Sequence, residues 1–391
     1  MFFRAVLTVV LLVLALINFK YALMDQMVIS GPGKKIFYNH QYNALILNNW
    51  ARTEHLIKGS LKEAENLYIR ALRNDPLYIP SWLGLAELYF DTNKKDKAAH
   101  ILGYVNEIAS HTNFWRWERI LLSYNMNNFE HMAEDLAYVI KNNPNLRKEA
   151  MEMAATIWQT PDDLIKNLGS THTLDVFNYF VGKRDYINSK AAFHALEKKA
   201  SLNQDQSLKF IDFSLDSNDL REAIRVWKSY FSHNGLLYNE DFRKEPLNRG
   251  FAWHLWEREG FSASFVKDEQ DTILHLSFHG NRNISFNHFY QVVPLEPGKD
   301  YVFTGKAQTY DLTTNERPYF EIFGYGCGGL KANTPMFPQS QGWRKFEVFF
   351  HLPLNCKAVK LGIKRNESHH FDNKISGEMW VKDLKLTEIT E

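Results

Sequence analysis

The sequence predicts a multidomain α + β protein: an α-solenoid followed by an antiparallel β-sandwich, behind one N-terminal transmembrane helix. Three observations predict it. Pro76 and Pro144 stand two 34-residue periods apart, and each closes a segment of small and aromatic residues at helical spacing. Near Tyr238 this periodicity gives way to short alternating apolar runs separated by turn residues. Ahead of both, Ala5 to Ile17 is an unbroken apolar run. A chain of 391 residues is too long for one core. Its formal net charge of +1, with both signs mixed along the chain, gives no electrostatic case for nucleic acid as a partner.

The N-terminus carries the targeting signal. Met1-Phe2-Phe3-Arg4 precedes the apolar run, and Asn18, Lys20 and a further apolar patch to Met24 follow it. The basic start and apolar centre fit a secretory signal. The best cleavage position, Ala22, has Lys20 two residues earlier, where a signal peptidase needs a small side chain. No Cys is near for lipoprotein processing. Residues 1–24 are therefore read as an uncleaved anchor at a bacterial inner membrane, with the bulk of the chain periplasmic. Lys20, Lys34 and Lys35 on the far side argue against that orientation, and secretion after cleavage is the alternative. Residues 25–44, with Gly31-Pro32-Gly33, read as a linker.

Residues 45–237 read as the solenoid. Counting a 34-residue unit from Leu45 puts Ala64, Tyr68, Ala71 and Pro76 at slots 20, 24, 27 and 32. A unit from Ile79 puts Trp82, Leu85, Ala86, Tyr89 and Ala98 at slots 4, 7, 8, 11 and 20, with Ser110 in place of the closing proline. A third, from Asn113, returns to register at Leu136 and Pro144. Small residues at slots 8 and 20 let two antiparallel helices approach while large ones fill the space beside them. This pattern resembles the tetratricopeptide repeat. A unit from Gln204, with Ala223, Trp227 and Tyr230, fits again but out of phase, so irregular helices are expected from Thr160 to Asn203. The resemblance implies a groove lined by first helices and holding a protein partner. Asn48, Arg52, His55, Trp115, Arg116 and Arg119 are the candidate groove residues, and a plain solvated face is the alternative.

Residues 238–391 read as the sandwich. Strands are expected at Ile273–Phe278, Tyr290–Val293, Tyr301–Thr304, Tyr319–Phe323, Phe346–Phe350, Val359–Ile363 and Met379–Thr387. The order of features is more specific than any one strand. Asn239-Glu240-Asp241-Phe242 and Gly250-Phe251-Ala252-Trp253 open the region. The turn Glu296-Pro297-Gly298-Lys299-Asp300-Tyr301, then Gly342-Trp343, Leu352-Pro353 and the closing Trp380–Leu386 follow. This order resembles the jelly-roll carbohydrate-binding modules of secreted glycan enzymes. The resemblance implies a glycan ligand and a structural calcium, for which Glu240, Asp241 and Asp383 are the candidates. Lys382 stands where the family commonly has a second acid, and it would repel the ion. Cys327 and Cys356, the only cysteines, are a candidate disulfide in an exported chain, or two reduced thiols.

Sugar binding needs an aromatic surface for the apolar side of a pyranose and polar groups for its hydroxyls. Trp253 and Trp256, Tyr319, Glu321 and Tyr325, and Arg365 with Asn366 are the candidates, with Trp253 also suited to plugging the core. No catalytic machinery is legible: Gly-x-Ser-x-Gly and a phosphate-loop Gly-Lys-Ser/Thr are absent. Glu321 and Glu347 form the only conceivable acid pair, and His275, His279, His369 and His370 lack partners at zinc spacing. The expectation is a non-catalytic envelope protein, an accessory factor in synthesis, export or modification of a cell-surface polysaccharide. The alternative is an assembly scaffold in which both domains bind proteins. Asn283-Ile284-Ser285 and Asn366-Glu367-Ser368 also allow a eukaryotic secretory protein.

Overall fold

The computed structural model describes residues 8, 10–19, 22 and 43–389, apart from 111, 200, 201, 232, 269, 270 and 372. The expected anchor 1–24 and linker 25–44 lie largely outside these residues. Residues 10–19 are helical and expose their apolar side chains. Among the described residues no helix is long and apolar enough to cross a membrane. The chain divides into two compact units, Met1–Phe180 and Val181–Glu391.

The first unit is helical: α1 (Ala44–Leu56), α2 (Leu61–Asn74), α3 (Ile79–Asp91), α4 (Lys95–Ile108), α5 (Arg116–Asn125), α6 (Phe129–Asn142), α7 (Arg147–Ile157) and α8 (Pro161–Leu168). Helices α2, α4 and α6 begin at residues 61, 95 and 129, in steps of 34. Two residues before each, Gly59, Asn93 and Asn127 take φ of 67°, 59° and 55°. Left-handed residues end the preceding helix and reverse the chain, and Gly and Asn tolerate that conformation best. Packing follows the small-residue pattern: Ala64, Ala71, Ala86 and Ala98 are fully buried around Tyr68. Gly84 makes room for that ring, because a Cβ there would lie 2.6 Å from it. Trp82 Nε1 donates to the Pro76 carbonyl at 2.8 Å, tying the first helix pair to the second.

The unit boundary falls within α9 (Thr173–Gly182), and α10 (Tyr186–Lys198), α11 (Gln204–Asp216) and α12 (Leu220–Tyr230) follow. Helices α10 and α12 begin at residues 186 and 220, again 34 apart, behind Arg184 and Asn218 at φ 57° and 60°. The stretch from Thr160 to Asn203 thus contains a pair in phase with its successor. The αL position is held by an arginine, which is why the sequence conceals it. Asn203 and Gln206 form a capping box at the start of α11.

Among the described residues ten strands follow: β1 (His254–Leu255), β2 (Phe261–Asp268), β3 (Asp271–His279), β4 (Phe286–Pro294), β5 (Asp300–Tyr310), β6 (Tyr319–Gly324), β7 (Lys331–Asn333), β8 (Gln341–His351), β9 (Ala358–Arg365) and β10 (Ser376–Glu388). They form two antiparallel sheets, ordered β1-β4-β9-β6-β7 and β2-β3-β10-β5-β8. Phe289, Val293, Phe320, Ile322, Leu361 and Ile363 of the first sheet share one core with Leu274, Leu276, Phe303 and Val381 of the second. All seven expected strands are present, and β1, β2 and β7 are additional.

Candidate functional site

The period-2 alternation that buries one face of the first sheet fixes what its other face presents. In β9, Val359, Leu361 and Ile363 turn inward, leaving Lys360, Gly362 and Lys364 outward. Phe320 and Ile322 of β6 turn inward, leaving Tyr319, Glu321 and Phe323 outward. Register places Glu321 opposite Gly362 and Phe323 opposite Lys360, while Tyr290 of β4 lies opposite Gly362 from the other side. Any side chain at position 362 would collide, since its Cβ would lie 2.3 Å from the Phe289 carbonyl oxygen. Gly362 therefore keeps the floor low between Tyr290 and Glu321. A depression of about 140 Å³ results, lined by Asn287, Tyr290, Glu321, Phe323, Lys360 and Lys364.

Aromatic rings form one wall. The Tyr290 ring stacks on His254 of β1, with centroids 4.7 Å apart and planes at 4°. Trp256 follows at 6.2 Å from His254; it is 48 % exposed, and its backbone N–H donates to the His288 carbonyl. Burial pushes the His254 imidazole below its usual range, outweighing the Gly250 carbonyl and the Asp212 charge, which raise it. Across the depression, Lys364 Nζ donates to both Glu321 carboxylate oxygens at 3.0 and 3.1 Å, and Lys331 Nζ lies 3.5 Å from one of them. Asn333, opposite Glu321 on β7, is exposed at the edge.

The structure sorts the sandwich candidates. Trp256, Tyr319, Glu321 and Tyr325 belong to this face or its rim. Tyr319 is mostly covered and accepts a hydrogen bond from Asn366 Nδ2 at 3.4 Å, while Tyr325 is half-buried, with its N–H on the Ala358 carbonyl. Trp253 is not on the face. It is core, stacked on Phe289 at 4.5 Å, with its Nε1 donating to the Asn239 carbonyl. Arg365 is likewise no ligand group. It is fully buried and donates to the carbonyls of Glu316, Ile284 and Asn373 and to Asn283 Oδ1. Its parity with Val359, Leu361 and Ile363 turns it inward. Tyr290, Lys360, Lys364 and Asn287 are not among the residues that the sequence offers for a site, whereas His254 stands beside the Trp253–Trp256 pair and Phe323, which the sequence favours as core, is exposed on the face. The outward positions of β4 and β9 were the available signal.

The candidate calcium residues Glu240, Asp241 and Asp383 share a cleft with Asp271, but cations already answer its carboxylates. Asp383 pairs with Lys306 at 2.8 Å, Asp241 with Arg243 at 3.2 Å and Asp271 with Lys382 at 3.2 Å. Among the described residues no group of three or more His, Cys, Asp or Glu could hold a metal ion. Cys327 and Cys356 are bonded, joining the turn after β6 to the loop before β9.

In the helical unit the candidate groove residues separate. Arg52 and Trp115 line one cavity of about 300 Å³ with Gly84, Glu87 and Glu118 of the first helices. The other four are engaged internally. Asn48 accepts from Ser81 Oγ, His55 meets Asp91 at 3.0 Å, and Arg116 and Arg119 both bind Asp135. Helix packing uses these polar groups.

No protein-family profile matches the chain, and no curated protein does. Solved structures with some likeness include a family 4 carbohydrate-binding module at 15 % identity, covering 40 % of this chain and 99 % of that one, with a TM-score of 0.28. A family 61 module in complex with β-1,4-galactotriose has 11 % identity, coverage of 40 % and 100 %, and a TM-score of 0.27. The xylan-binding family 22 module of Paenibacillus barcinonensis has 11 % identity, coverage of 39 % and 93 %, and a TM-score of 0.26.

Proposed function

We propose that this chain is a non-catalytic, glycan-binding protein of the bacterial envelope, an accessory factor in synthesis, export or modification of a surface polysaccharide. One observation carries the proposal: the outer face of the β1-β4-β9-β6-β7 sheet joins an aromatic wall of Trp256, His254 and Tyr290 to polar groups across a shallow trough. Apolar sugar faces stack on the rings, and Glu321, Lys364 and Asn287 supply hydrogen bonds to hydroxyls. Burial of both Trp256 and Tyr325 would favour the scaffold alternative, and Trp256 is 48 % exposed. The Cys327–Cys356 bond supports export, because disulfides persist in oxidising compartments. The apolar run from Ala5 to Ile17 supports an export segment at the N-terminus, read here as an uncleaved inner-membrane anchor with the bulk of the chain periplasmic. The helix pairs, in their 34-residue phase, form a tetratricopeptide-like array whose Arg52–Trp115 cavity receives a protein partner.

A glycan array probed with the whole oxidised chain tests the proposal. Saturable binding that is lost in Trp256→Ala, with the melting temperature retained, supports it. A folded chain that binds no surface glycan would instead favour the protein scaffold.

A further inference from the structure

The trough carries one charge that its own surroundings do not answer. Lys360 rises from the middle strand of the face, partly buried, with Nζ 3.5 Å from the centroid of the Tyr290 ring. Lys364 and Lys331 share Glu321, but among the described residues no carboxylate stands within ion-pair distance of Lys360. Three lysines thus face a single glutamate across this trough. Burial lowers the Lys360 pKa. A ring face compensates a half-desolvated ammonium only weakly compared with an anion.

From this geometry we infer that the face takes an acidic polysaccharide, with a uronate carboxylate seated on Lys360 beside the Tyr290 ring. The stacking wall holds the sugar's apolar side, and the carboxylate replaces the water around Nζ with a charge-assisted bond in a partly desolvated trough. Lys364 stays bound to Glu321, leaving Lys360 as the residue that distinguishes an acidic from a neutral sugar. The inference rests on the glycan-binding function proposed above and adds the ligand's chemical class.

The test is calorimetric titration of the whole chain with polygalacturonate, polyglucuronate and alginate, each beside its carboxyl-reduced neutral form, at fixed salt. At least one acidic polymer is expected to bind about tenfold or more tighter than its reduced form, the advantage of a hydrogen bond to a charged group. That advantage should collapse in Lys360→Met, which keeps the apolar stem, and survive in Lys360→Arg, with thermal melts confirming both folds. Equal affinity for acidic and reduced polymers, or a preference that persists in Lys360→Met, overturns the inference while leaving glycan binding intact. The acidic-versus-reduced comparison on the unaltered chain stands even if a variant misfolds. No binding to any polymer, acidic, reduced or arrayed neutral, overturns the glycan function itself and the inference with it.

Discussion

Removing the Cys327–Cys356 bond should cost the second unit a large, calculable share of its stability. The bond joins residues 29 apart in sequence, with a Cα–Cα distance of 5.4 Å. Restricting a loop of that length in the unfolded chain is worth about 3.6 kcal/mol at 25 °C on the chain-entropy account. For a unit of roughly 200 residues, each kcal/mol moves the melting temperature by about 2–4 °C, so reduction should lower it by roughly 7–14 °C. Differential scanning calorimetry of the oxidised chain, the reduced chain and a Cys327→Ala/Cys356→Ala double variant measures it. Reduced chain and double variant should melt together. A fall of less than about 2 °C on reduction would refute the crosslink argument. A fall confined to the double variant would assign the loss to packing around Cys356, which is fully buried.

Trp256→Ala should weaken glycan binding by about 1–2 kcal/mol in titration calorimetry without shifting the melt, because the ring is half exposed and its backbone bond persists. Arg365→Met should do the reverse: stranding buried carbonyl acceptors costs about 3–5 kcal/mol, read as a lower urea midpoint, with binding retained in the folded fraction. Acid should destabilise the second unit through Glu222. Burial raises its carboxyl pKa, but hydrogen bonds from Arg225 and His194 outweigh burial and hold it below the ordinary glutamate value. A depressed folded pKa stabilises above the unfolded value and is lost as pH falls through the folded one. Melting temperature should therefore drop more steeply below pH 4.5 in the parent than in Glu222→Gln. Asp212→Ala should weaken glycan binding without touching the trough, and unchanged affinity in the folded variant would sever the link argued below.

The sequence discloses those parts of the fold in which neighbours in space are neighbours along the chain. The helix pairs are of this kind, and the phase of Ala64, Tyr68, Ala86 and Ala98 survives into a fully or nearly fully buried interior. Strands β3 to β6 and β8 to β10 are legible because Val, Ile and Phe alternate with polar residues. Strand β2 was missed because Ser262, Ala263 and Ser264 dilute its alternation, and β1 and β7 are too short to carry a period. Arg365 reads in the sequence as a glycan-binding candidate, although its parity within β9 turns it inward. The trough was hidden for a different reason. Strand β9 pairs between β4 and β6, so Tyr290, Lys360 and Glu321 meet only through non-consecutive pairing that no linear pattern states.

That pairing explains the floor of the trough, but its aromatic wall depends on helices. Asp212 of α11 accepts from Arg249 Nε and from the Gly250 backbone N–H, both at 2.7 Å, and Arg249 Nη1 also reaches Asp205. The Gly250 carbonyl lies 3.1 Å from His254 Nε2, and His254 carries the Tyr290 stack next to Trp256. Nearby, Trp227 of α12 stacks on Phe231 and meets Tyr238 and Phe251 edge-on, fixing the segment between helices and sheet. Strand β1 has two residues and one neighbour, too little to hold a ring wall by itself. The α11–α12 pair is therefore a structural support of the face proposed to bind glycan. A fragment cut at residue 238, where the composition changes, would keep every strand and lose the support of the wall.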